Sequence, residues 1–103
     1  MKNKYKNKNG VDIISEERSR QIIEERFTYE NDDKYEGESL AICGAIYAMP
    51  AKLRDYWSDT ELPMNWVWDA KWWKPTPEDR IRELAKAGAL IAAEIDRLLR
   101  VKD

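Results

Sequence analysis

The chain contains no histidine, a single cysteine (Cys43), one phenylalanine and no uncharged apolar run long enough to cross a bilayer. Each lack removes a class of function. Without histidine there is no Cys/His zinc site and no Ser-His or Cys-His nucleophile pair, and one cysteine cannot build a disulfide framework. The longest apolar runs, LAICGAIYAM (40–49) and AGALIAA (87–93), fall well short of the ~20 residues that span a membrane. The start MKNKYKNKNG is basic but lacks the apolar stretch and small-residue cleavage site of a secretory signal. A cytoplasmic protein with no membrane partner is the expectation.

What is present fits one small domain. The chain has 103 residues, 43% hydrophobic and 37% charged, with a net charge of −2, enough for a single core. Charge is unevenly spread. Lys2, Lys4, Lys6 and Lys8 lie in a polar, Asn-rich arm, residues 1–10, that has little to bury and reads as disordered. Removing those four lysines from the 18 basic residues leaves the body, residues 11–103, with 14 against 20 acidic ones, a net of −6. An acidic body is a poor partner for duplex DNA, whose phosphates supply most of the affinity.

The pattern predicts an all-α fold: a bundle of three to four helices with a long Trp-rich segment folded over it. Asp12 or Ser15 can cap a first helix running to about Arg26, with Ile13, Ile14, Ile22, Ile23 and Phe27 as its apolar stripe. A second helix opens near Glu36 to Ser39 and runs to about Met49, where Pro50 interrupts it and permits a short helix through AKLRDYW. The third begins with Thr76 as N-cap, Pro77 at the first helical position and Glu78 and Asp79 in the first turn. Its Ile81, Leu84, Gly88, Ile91, Ile95 and Leu98 recur in steps of three and four, a seam expected to face the core. Ala41, Gly44, Ala45 and Ala48 on one helix and Ala85, Gly88, Ala89 and Ala92 on another form two stripes of small residues. These predict close packing of the two helices, within one chain or across a homodimer. Glycine in mid-helix costs roughly 1 kcal/mol relative to alanine, so Gly88 should be there to allow an approach.

All five tryptophans fall between residues 57 and 73, and NWVWDAKWWKP (65–75) holds four of them. Two readings stay open. Large rings can close a core that has only one phenylalanine. Alternatively Trp66, Trp68, Trp72 and Trp73, beside Lys71, Lys74 and Arg80, make a stacking platform for a nucleotide, a single strand or a protein partner. A second candidate site is acidic. Glu24, Glu25, Glu30, Asp32, Asp33, Glu36 and Glu38 crowd into 15 residues, and Glu94 sits in an apolar stretch where a carboxylate is either paired, with Arg97 or Arg20, or a ligand. Were Asp32, Asp33, Glu38 and Glu94 to converge, they would suit Mg²⁺ and a phosphate substrate, with Glu38 and Glu94 as catalytic groups. The loop DDKYEGES lacks the spacing of an EF-hand.

The stretches ERSRQIIEERFTYENDDKYEGESLA and NWVWDAKWWKPTPEDRIRELAKAGALIAAEIDRLLR resemble a family of small bacteriophage and prophage proteins across about residues 16–100. Where that family often carries histidines beside the Asp-Asp pair, this chain has Asn31 and Lys34, and where it has Trp-Pro-Trp this chain has Trp66, Val67 and Trp68. The resemblance implies a phage or prophage origin and no particular reaction. More distantly the chain is similar to the MazG-type all-α nucleotide pyrophosphohydrolases, although EERSR (16–20) departs from their EExxE motif and EIDR (94–97) from ExxD. The expected function is therefore a non-enzymatic phage accessory protein, free of cofactors, that binds a host protein or a nucleotide signal to counter host defence. The alternatives are a Mg²⁺-dependent pyrophosphohydrolase and a structural or replication accessory whose tryptophans are all core.

Overall fold

Asn9 starts the first helix. Its side-chain oxygen accepts from the Asp12 amide (2.9 Å) while the Asp12 carboxylate accepts from the Asn9 amide (3.0 Å), a reciprocal capping box. Helix α1 therefore spans Gly10–Glu24, and Asp12, expected as the cap, serves as the third residue of the box. The computed structural model describes residues 4–25, 38–56, 62–63 and 65–101, without the side chains of 55, 56 and 101. Residues 4–9, part of the arm expected to be disordered, form a turn in which Tyr5 donates to Asp79 (2.8 Å) and Lys4 pairs with the same carboxylate (2.7 Å).

Helix α2 (Ser39–Ala48) is entered through Glu38 in the left-handed region, φ 63°, a conformation that costs a non-glycine residue. Pro50 ends it and at once opens α3 (Ala51–Tyr56), its carbonyl accepting from Leu53 and Arg54. Trp57, expected to extend α3, lies outside the described residues. A 3-10 turn covers Ala70–Trp72, and α4 spans Arg80–Val101. Thr76 is not its cap. Residues 76–79 form a turn closed by Asp79 N–H to Thr76 C=O (2.8 Å), and Asp79 takes the capping role, its side chain accepting from the Arg82 amide at 3.1 Å. The Thr76 amide instead donates to Glu83 (2.9 Å).

All regular structure among the described residues is helical, and α4 packs against both α2 and α1. Gly44 supplies the close approach to α4: a Cβ there would lie 3.1 Å from the Ala87 carbonyl and from the Ile91 side chain. The predicted close packing of these two helices holds within the chain, but not through Gly88, which faces α1, where its added Cβ would meet Ile14 at 2.6 Å. Each glycine thus seats a different neighbour. The core consists of Leu40, Cys43, Ile46, Tyr47, Ala85, Ala87, Ala89, Leu90 and Ala93.

The larger correction concerns the seam of α4. Ile81, Leu84, Ile91, Ile95 and Leu98, expected inside, are 42–53% exposed, and Leu99 is 63% exposed. The alanines of α4 admit α1 and α2 on its inner sides, which turns the aliphatic ridge outward. The molecule measures 47 × 39 × 20 Å, and its short dimension holds one layer of helices, each about 10 Å across, with the Trp segment covering one side. No described helix is long and apolar enough to cross a membrane.

Candidate binding face

Tyr47 anchors the Trp segment to the helices. Its hydroxyl accepts from the Lys74 amide (2.9 Å) and donates to the Trp72 carbonyl (3.3 Å), and burial pushes its pKa up to about 12. Around its ring the indoles pack edge to face or tilted: Trp73 at 4.8 Å and Trp66 at 5.9 Å between centroids, with Trp66 in turn 5.0 Å from Trp73 and 5.8 Å from Trp68. These separations lie in the range where aromatic pairs add to plain area burial. The four indoles described are half-buried and lie on the cluster of Leu40, Cys43, Tyr47, Ala87, Leu90 and Ala93. A core lid is therefore present, and Trp57 alone falls outside the described residues.

Trp72 sits at the cationic edge of that lid. The ammonium groups of Lys71 and Lys74 each lie 5.4 Å from its ring centroid, within cation-aromatic range. Both lysines are exposed. Beside Trp72 opens a small cavity of about 20 Å³, lined by residues that include Arg20, Gln21, Glu25, Lys74 and Lys86, room for one water. Glu25 joins two of its walls, accepting from Arg20 (3.0 Å) and from Lys74 (3.5 Å). Lys86 is 6% exposed and donates to the Lys74 carbonyl at 2.5 Å; its pKa is lowered by burial. Gln21 is 2% exposed, and its side-chain oxygen has no hydrogen-bond partner.

Arg80, predicted alongside the tryptophans, is directed elsewhere. Its guanidinium donates to the carbonyls of Tyr47 (3.0 Å) and Met49 (3.3 Å), and also to that of Ala48, at the C-terminus of α2, where a positive charge meets the negative end of the helix dipole. Arg54 shares this work, and one nitrogen of its guanidinium bridges both carboxylate oxygens of Glu83, at 3.2 and 3.1 Å, on side chains that are almost wholly buried. Its guanidinium also lies 5.2 Å from the Trp73 ring centroid.

Of the acidic candidates, Asp32 and Asp33 lie outside the described residues. Glu94 is buried against Arg97 through hydrogen bonds of 2.7 and 3.0 Å, the pairing with the residue three positions on. Glu38 is exposed at the entry to α2. Among the described residues no group of three or more acidic or cysteine side chains gathers as a metal site. Cys43 is buried, and burial pushes its thiol up to about 12, far from the thiolate a nucleophile needs.

Sequence reasoning missed Arg20, Gln21, Glu25 and Tyr47 as partners of the Trp segment. Nothing in one-dimensional spacing links α1 to residue 74. A second, mainly apolar cavity of about 260 Å³ is lined by Ile42, Ala45, Ile46 and Met49 of α2 and its end, with Arg54, Pro63 and Asn65. No family model matches the chain, and neither the curated proteins nor the solved structures compared with it contain a match.

Proposed function

We propose that this protein is a non-enzymatic binding module whose cationic edge of the Trp lid, Trp72 with Lys71 and Lys74, takes a nucleotide signal. The observation that carries the reading is the pair of exposed ammonium groups held 5.4 Å from one half-buried indole. An aromatic face offers stacking to any base, and the lysines offer charge to its phosphates. The polar cavity alongside adds Gln21, whose free acceptor oxygen suits a donor such as an exocyclic amine or a bridging water. A catalytic role finds no support in the buried, unreactive Cys43 or in Glu94, which is neutralised by Arg97. In a phage accessory protein, as the family resemblance suggests, such a face would sequester a signal of host defence.

The test is a tryptophan fluorescence titration with nucleoside triphosphates, cyclic dinucleotides and short single strands, on the parent chain and on Lys71→Glu/Lys74→Glu. Saturable quenching by one nucleotide class that weakens at least tenfold in the double variant is the expected result. Emission indifferent to every ligand contradicts the nucleotide reading and leaves a host protein as the ligand to seek.

A further inference from the structure

Between Ile81 and Leu99 the outer surface of α4 carries no charged side chain across a stripe of about 100°, and Arg80, in the direction of Leu98, closes its N-terminal end. At 100° per residue, Leu98, Ile91, Leu84, Ile95, Ile81 and Leu99 project in neighbouring directions. All six are between 42% and 63% exposed. Ile14 of α1 packs over Gly88, which shares this stripe, and fills the gap that the glycine leaves.

We propose that this stripe is the contact face between two copies of the chain. Its size favours a specific contact. The six residues leave on the order of 500 Å² per copy, as large as the biggest apolar patches of ordinary monomers, and two copies together reach the roughly 1,000 Å² that separates specific interfaces from incidental ones. Its spacing favours a helical partner, since steps of three and four from Ile81 to Leu98 are those by which one helix seats its side chains between those of another. Its lack of charge favours the chain itself. Two copies of net charge −2 meet here over a ridge uncharged from Ile81 to Leu99, with Arg80 at its end turned to the α2 carbonyls, and a two-fold pairing places each ridge against an identical one. The geometry of the layer agrees: the Trp segment covers the other side of the helices, and a second copy would cover this one, giving two packed layers around a common apolar centre.

Sedimentation of the whole chain over a hundredfold concentration range tests the proposal, beside Ile95→Glu and Leu84→Lys, with Lys52→Glu on exposed α3 as control. Circular dichroism checks that each variant keeps its helices. The expected result is twice the chain mass for the parent and for Lys52→Glu, and a single chain mass for either stripe variant at a concentration where the parent is paired. A parent chain that stays single throughout, or a dimer that survives both stripe substitutions, overturns it. A single chain whose stripe captures a different protein overturns it equally.

Discussion

The two sides of α4 reverse the usual arrangement of a surface helix. Inside, between α1 and α2, lie Glu83, Lys86, Glu94 and Arg97, each 6% exposed or less; outside lie Ile81, Leu84, Ile91, Ile95 and Leu98, all above 40%. The inner charges are tolerable because they have partners: Glu83 with Arg54, Arg80 and the Thr76 amide, Glu94 with Arg97, Lys86 with the Lys74 carbonyl. Buried ion pairs add little net stability, yet removing one member strands the other. The lesson is a division of labour. The inner side ties the connecting segments to the helix through directional bonds, while the outer side, which has no directional bond to make, is left for burial against something else.

The comparison can be broken most sharply from within. Glu83→Ala leaves Arg54 buried without its carboxylate and the Thr76 amide without its acceptor, and is expected to cost about 3–5 kcal/mol in urea unfolding. Next comes the contact that holds α2 to α4. Gly44→Val forces side-chain atoms against the Ala87 carbonyl, which as backbone cannot turn aside, and should cost about 1–3 kcal/mol. Gly88→Ala brings a methyl to within 2.6–3.2 Å of three Ile14 side-chain atoms, both branches at its Cβ among them, so Ile14 must shift, and denaturation should register a loss no larger than that of Gly44→Val. Tyr47→Phe removes the hydroxyl shared by Lys74 and Trp72, with about 1 kcal/mol lost and a red shift of tryptophan emission as the segment loosens.

The smallest effect is at the start of α4, where the hydrogen bond from Lys4, helped by that from Tyr5, holds Asp79 below its ordinary pKa. A depressed carboxyl contributes stability that is present above its unfolded value, about 4, and lost as pH falls through the folded one. Asp79→Asn keeps a capping oxygen and should flatten that acid-side slope in a pH series of melting temperatures.

Much of this fold was legible in the sequence. The helices, the Pro50 break, the lid-like use of tryptophan and the pairing of Glu94 with Arg97 follow from spacing and local chemistry. Helix starts were less so, because Asp12 and Asp79 are each one of several capping residues in a row, and only geometry decides which one holds an amide. The seam of α4 illustrates a deeper limit. Periodicity reports that Ile81, Leu84, Ile91, Ile95 and Leu98 share a face, but whether that face turns towards this chain's own helices or away from them depends on where α1 and α2 seat against the alanines of α4. The binding edge was half legible: Trp72, Lys71 and Lys74 adjoin in sequence, whereas Arg20, Gln21 and Glu25 arrive from α1 through the tertiary fold alone.

The central claim, that the inner side of α4 folds the chain and the outer side joins it to a copy, is tested most directly by the melting temperature as a function of protein concentration. Association that stabilises the folded state makes the midpoint climb with concentration. The account predicts a rise over a hundredfold increase for the parent chain and a flat response for Ile95→Glu; a flat response for both would contradict it.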